Sequence, residues 1–126
     1  MTENEVSNVI IGAAIEVHKE LGGPGLLEDI YEEALCLELA DRGLHVARQV
    51  QVPVLYKGRR LKKPLVLDVL VVEKVVVEVK AVEKISPVFN AQLLTYLRLA
   101  DKKLGLLINF GEIRVSEGIH RVVNNL

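Results

Sequence analysis

Leu65–Val72 and Val75–Ala81 are two apolar segments separated by only two residues, and valine dominates both. They are too short and too β-branched to make good helices, so they read as strands. Apolar residues occupy both alternating sets of positions, so each strand needs cover on both of its faces, as in a sheet enclosed between helical layers. The helices must therefore come from the rest of a 126-residue chain, which suits one domain spanning 1–126 and leaves no room for a second.

The flanking sequence supplies them. Val6, Ile10, Ala13, Val17 and Leu21 recur at helical spacing and predict a helix over residues 4–21, stopped by Gly22-Gly23-Pro24-Gly25. A second helix is predicted from Leu26 to Arg42, with Leu27, Ile30, Ala34 and Leu37 as its apolar side and Gly43 as its C-terminal stop. From Leu44 the period changes to two, giving a strand interrupted near Pro53, and Lys57-Gly58-Arg59 marks a turn. Ser86-Pro87 is a strong helix start, and that helix should run to Ala100. Leu104 to Phe110 reads as another strand, with shorter ones at Ile113–Val115 and Ile119–Val123 around Gly118. The fold class is thus α/β: a central mixed sheet between two N-terminal helices and one helix after the third main strand.

Half of the residues are apolar and about a quarter are charged, as in globular domains. No apolar run is long enough to span a bilayer, no secretory segment is visible, and a cytoplasmic location is expected. Cys36, the single cysteine, falls in a helical pattern and reads as a packed thiol. His18, His45 and His120 are too scattered for a zinc site. The net charge of −1 is uninformative, but its distribution is not. Residues 1–41 hold ten acids and one base, whereas Arg42 to Leu67 hold seven bases and no acid. That stretch reads either as a positive strip able to track a nucleic-acid backbone or as a solvated edge that discourages aggregation.

Three charges stand where strands should be buried: Asp68, Glu78 and Lys80. Burying a charge costs several kcal/mol or more unless it is paired or bound to a metal, so such positions are site candidates. Glu78 and Lys80 are two apart and project from one face of their strand. An odd-numbered turn centred on Glu73 sets Asp68 opposite Glu78, whereas a two-residue Glu73-Lys74 turn sets it opposite Val79, on the other face. Facing carboxylates repel, and a hard cation such as Mg²⁺ or Mn²⁺ relieves the repulsion. The same residues also fit a structural cluster in which Lys80 neutralises both acids. Gln92 and Tyr96, four apart on a helix, share a face and can hydrogen-bond phosphate oxygens. Glu28 and Tyr31, three apart, share a face of the second helix.

Gly25-Leu26-Leu27-Glu28-Asp29-Ile30-Tyr31 resembles the motif that names the GxxExxY proteins, members of the PD-(D/E)XK nuclease superfamily. The likeness continues, in order, through Leu67–Leu70, Val77–Ala81, Ala91–Leu97 and Gly105–Gly111. It implies a restriction-endonuclease-like α/β/α sandwich with the site on the sheet face toward the N-terminal helices. By the same resemblance, Asp68, Glu78 and the auxiliary acid Glu28 are metal ligands for Mg²⁺ or Mn²⁺, and Lys80 positions water. Gln92, Tyr96 and Tyr31 contact the substrate. The implied function is metal-dependent hydrolysis of nucleic acid, DNA before RNA, with a catalytically inactive nucleic-acid-binding or regulatory module as the alternative. The small size and apolar sheet also suit a homodimer.

Overall fold

The computed structural model describes residues 1–126. Helix α1 spans Glu3–Glu20 and α2 Glu28–Asp41; strand β1 is Val46–Val52, β2 Leu55–Tyr56, β3 Arg59–Arg60, β4 Leu65–Val71 and β5 Val75–Lys80. Helix α3 is Pro87–Ala100, β6 Leu104–Asn109 and β7 Ile119–Val123, with a 3₁₀ turn over Val115–Gly118. Thr2 and Glu5 form a reciprocal capping box that starts α1. The Ser86 hydroxyl accepts from Val88 N, with Pro87 in the first position of α3.

Five strands form the sheet in the order β1-β4-β5-β6-β7. Only β5 and β6 run parallel, and α3 makes the crossover between them. As the apolar patterning requires, both faces are covered. Val69, Val71, Val75, Val77, Val79, Leu104, Leu106 and Ile108 pack beneath α1 and α2. Leu70, Val76 and Leu107 pack against Leu93 and Leu97 of α3. Gly105 permits close approach of α3, because a Cβ there would lie 3.0 Å from the Leu93 side chain.

Strands β1 and β4 change sides partway. Val46 packs beneath the N-terminal helices, yet Val50 and Val52 pack on the α3 side, although residues four apart share a face of a regular strand. The inversion falls at Gln49, whose φ of 51° interrupts the ladder between Arg48↔Val69 and Val50↔Leu67. The residue facing this break on β4 is Asp68.

The ladder of β1 and β4 ends at Val52↔Leu65. The next two residues are Pro53 and Pro64, neither of which has an N–H to continue it. Beyond them β2 and β3 form a separate two-stranded arm, pairing Leu55 with Arg60 and Tyr56 with Arg59. Lys57 and Gly58, at φ 49° and 78°, make its tight two-residue turn.

Two expectations are corrected. Helix α2 buries Tyr31, Glu32, Leu35 and Leu39, leaving Leu27, Ile30 and Leu37 exposed, because the Tyr31 ring stacks on Phe110 at 4.7 Å and sets the helix rotation. Ile113–Val115 is not a strand. Ile113 is 84% exposed, and Val115 enters the 3₁₀ turn.

Candidate active site

The pairing of β4 and β5 runs through Val71↔Val75, Leu70↔Val76 and Val69↔Val77. This is the register of the odd connection, Val72-Glu73-Lys74, with Val72 and Glu73 at φ 54° and 58°. Continued by one step, it sets Asp68 against Glu78. There the backbone ladder gives way to side chains. Asp68 Oδ2 accepts from Val79 N at 3.0 Å, and Glu78 Oε1 lies 3.4 Å from the donating Asp68 N. Two carboxylates are thus held at the point where the strands part.

Glu78 is only 7% exposed. Burial, then the charge of Asp68, pushes its carboxyl up to about 9. Lys80 does not relieve this by pairing: the molecule's two salt bridges are Arg42–Glu38 and Arg48–Glu32. The Lys80 ammonium instead sits 4.6 Å from the centre of the Phe89 ring on α3. Lys80 thus makes no direct ion pair with either acid, although its charge offsets part of the rise at Glu78.

The chain beyond Lys80 is fastened by the segment Asn109–Gly111. Lys80 C=O accepts from Phe110 N at 2.8 Å. Asn109, fully buried, accepts from Val82 N and Gly111 N and donates to Val82 C=O. Gly111 has no space for a side chain, since a Cβ would lie 2.2 Å from Val82 O.

The site opens toward α3, a correction to the face implied by the resemblance. Val77 and Val79 pack beneath α1 and α2, so the alternation of β5 sends Glu78 and Lys80 the other way. Tyr96 of α3 is half-buried, and its phenol is raised by burial and then by the charges of Glu78 and Asp68. Gln92 lies one turn earlier and is exposed.

Neither residue expected from α2 joins them. Glu28 is exposed at the start of α2, on the opposite side of the sheet, and no three His, Cys, Asp or Glu side chains converge to hold a metal. Tyr31 is fully buried; its hydroxyl donates to Gly23 O at 2.7 Å and accepts from Leu26 N at 3.2 Å, bracing the turn around Gly25. It is closed to substrate.

Two polar groups escape the sequence pattern. Glu32 is 6% exposed and receives bonds from Arg48 Nη2 at 2.8 Å and Gln49 Nε2 at 3.2 Å. It thereby anchors the residue whose backbone breaks the ladder beside Asp68. Its spacing with Leu35 and Leu39 on the buried side of α2 is the one signal that could have found it. Asn90, next to Phe89, carries a buried Oδ1 with no partner; its helical neighbours give no sign of this.

A mixed sheet whose strands separate at paired carboxylates, with a lysine two residues on, defines a restriction-endonuclease-like domain. The family model described as the PD-(D/E)XK nuclease superfamily matches residues 4–122, and the chain belongs to that superfamily. No curated protein and no solved structure gives a match. Nucleases of this superfamily generally use divalent metal ions. No helix is long and apolar enough to cross a membrane.

Proposed function

We propose that the protein is a Mg²⁺- or Mn²⁺-dependent nuclease that hydrolyses phosphodiester bonds of DNA, with Asp68 and Glu78 as the metal ligands. The observation that carries this reading is the pair of carboxylates, Asp68 and Glu78, set against each other where the β4–β5 ladder ends, with Glu78 buried and neither acid in a direct ion pair. Such a pair is tolerable only with a proton or a cation between its members. Mg²⁺ commonly takes one or two carboxylates and completes its shell with water and substrate phosphate, so two acids fit it. When bound, the ion offsets phosphate charge and acidifies water.

The remaining chemistry belongs to the chain. Lys80, held over Phe89, offers N–H donors that orient the attacking water and stabilise charge developing on the phosphate. Tyr96 retains its proton and donates it in a hydrogen bond to a phosphate oxygen, with Gln92 as a second donor one turn away. Water loses one proton to solvent as its oxygen adds to phosphorus, the bond to one ester oxygen breaks, and that oxygen leaves with a proton taken from solvent. The segment from Gly25 to Tyr31, in which Tyr31 braces the turn, supports the narrower GxxExxY assignment.

That only two acids converge favours a second reading, a nucleic-acid-binding module without catalysis. Incubating labelled single-stranded DNA, duplex DNA and RNA with the protein and Mg²⁺ or Mn²⁺ separates the two. Cleavage that disappears in Lys80→Ala, with folding retained, supports the nuclease. Binding without cleavage of any substrate overturns it.

A further inference from the structure

Seven bases lie between Arg42 and Leu67, and the structure divides them. Arg42 is paired with Glu38, and Arg48 with Glu32. The other five are all exposed and without an ion-pair partner: Lys57, Arg59 and Arg60 on the arm, and Lys62 and Lys63 in the bend that leads from it to β4. No acid lies between Val52 and Leu65.

The arm has features that a mere solubilising edge does not need. It also exposes Leu55 at 60%, Tyr56 at 59% and Leu61 at 48%. An edge built for solubility does not display a ring and two leucines. The Lys57 ammonium lies 5.4 Å from the Tyr56 ring centre, so an aromatic face and a cation are presented together. The turn and its pairing, with Leu61 N bonded to Val54 O at 2.9 Å, give this surface a definite shape.

Its position matters most. Strand β5 runs antiparallel to β4, so Lys80 lies at the end of the sheet where β4 begins and the arm is rooted. Leu65 is three residues from Asp68, about 10 Å along a strand. The arm is therefore rooted at the same end of the sheet as the Asp68–Glu78 site, where a polymer leaving the site can run on to it.

We propose that the β2–β3 arm, with the bend that follows it, is a nucleic-acid clamp: its five cations contact backbone phosphates flanking the cleavage site, and Tyr56 stacks on an unpaired base there. This rests on the nuclease reading for the location of the substrate and adds to it a second binding surface with its own readout. An exposed aromatic beside cations matches single-stranded ends and frayed duplexes better than a closed duplex.

The test measures binding apart from cleavage. Fluorescein-labelled single-stranded and duplex DNA are titrated in EDTA with wild type, Lys80→Ala, a five-fold arm variant (Lys57, Arg59, Arg60, Lys62 and Lys63→Gln) and Tyr56→Ala. Anisotropy is followed at several salt concentrations. The clamp requires the arm variant to bind at least about tenfold more weakly, with a salt slope shallower by roughly 0.7–0.9 for each phosphate that the arm no longer neutralises. Tyr56→Ala should weaken single-strand binding about fivefold or more and duplex binding less. Circular dichroism confirms that each variant folds. Wild-type affinity and salt slope in the arm variant overturn the proposal, as does an arm variant that loses only self-association while binding DNA normally. If wild type binds through the arm but cleaves nothing with any cation, the nuclease reading fails and the clamp stands.

Discussion

Replacing Glu78 by Gln keeps the side-chain shape and removes one of two facing carboxylates. In wild type without metal, burial and Asp68 raise the Glu78 carboxyl from 4.5 to about 9. The folded chain therefore holds a proton there that the unfolded chain has released. A group shifted upward in this way contributes its full stability below the unfolded value and loses it as pH rises toward the folded one. The limiting slope is about 1.4 kcal/mol per pH unit. Between roughly pH 5 and pH 8 wild type should lose on the order of 3 kcal/mol relative to Glu78→Gln, or about 10 °C in Tm for a chain of this size. The assay is thermal unfolding followed by circular dichroism in EDTA, across that pH range, for both proteins. Glu78→Gln should be the more stable at pH 8, with the gap narrowing as pH falls. Adding Mg²⁺ at pH 8 should raise the Tm of wild type alone. Parallel pH profiles for the two proteins would refute the reasoning, since they would mean that Glu78 is not buried against another negative charge.

Other outcomes follow from the same geometry. Asn109→Ala should cost about 2–4 kcal/mol in urea unfolding, because it breaks three buried hydrogen bonds that fasten the chain after Lys80. Gly111→Ala should cost more than about 2 kcal/mol, since its Cβ would collide with the Val82 carbonyl. Glu32→Ala should destabilise by only about 1 kcal/mol, because Arg48 can turn to solvent, yet it should reduce cleavage more than tenfold by freeing Gln49 beside Asp68. Burial pushes the Cys36 thiol up to about 11, so iodoacetamide should alkylate it at pH 8 at least roughly a hundredfold more slowly than a free cysteine, as mass spectrometry would show.

Much of this architecture is legible in the residue pattern. The valine segments demand cover on both faces, and the structure supplies α1 and α2 on one and α3 on the other. Ser86-Pro87 marks the start of α3 because capping and proline geometry are local effects. The side of the sheet that carries the site is not legible, since alternation fixes which residues share a face but not which helical layer that face meets. The rotation of α2 is hidden for a similar reason. Two apolar stripes compete on that helix, and only the stacking of Tyr31 on Phe110, from a distant strand end, decides between them. Glu28 stands out through its motif, while Glu32 is marked only by its helical spacing with Leu35 and Leu39. Its partners Arg48 and Gln49 come from β1, and no spacing rule joins them to α2. The side change at Gln49 also leaves no trace in the pattern, because it depends on a positive φ at a residue other than glycine.

Mn²⁺ titration by isothermal calorimetry examines the convergence of Asp68 and Glu78 directly. Wild type should bind the ion at one site per chain, and Asp68→Asn and Glu78→Gln should each abolish that heat while retaining the fold. Equal Mn²⁺ binding by wild type and both variants, or no binding by any of them, would show that the two carboxylates do not form a metal site.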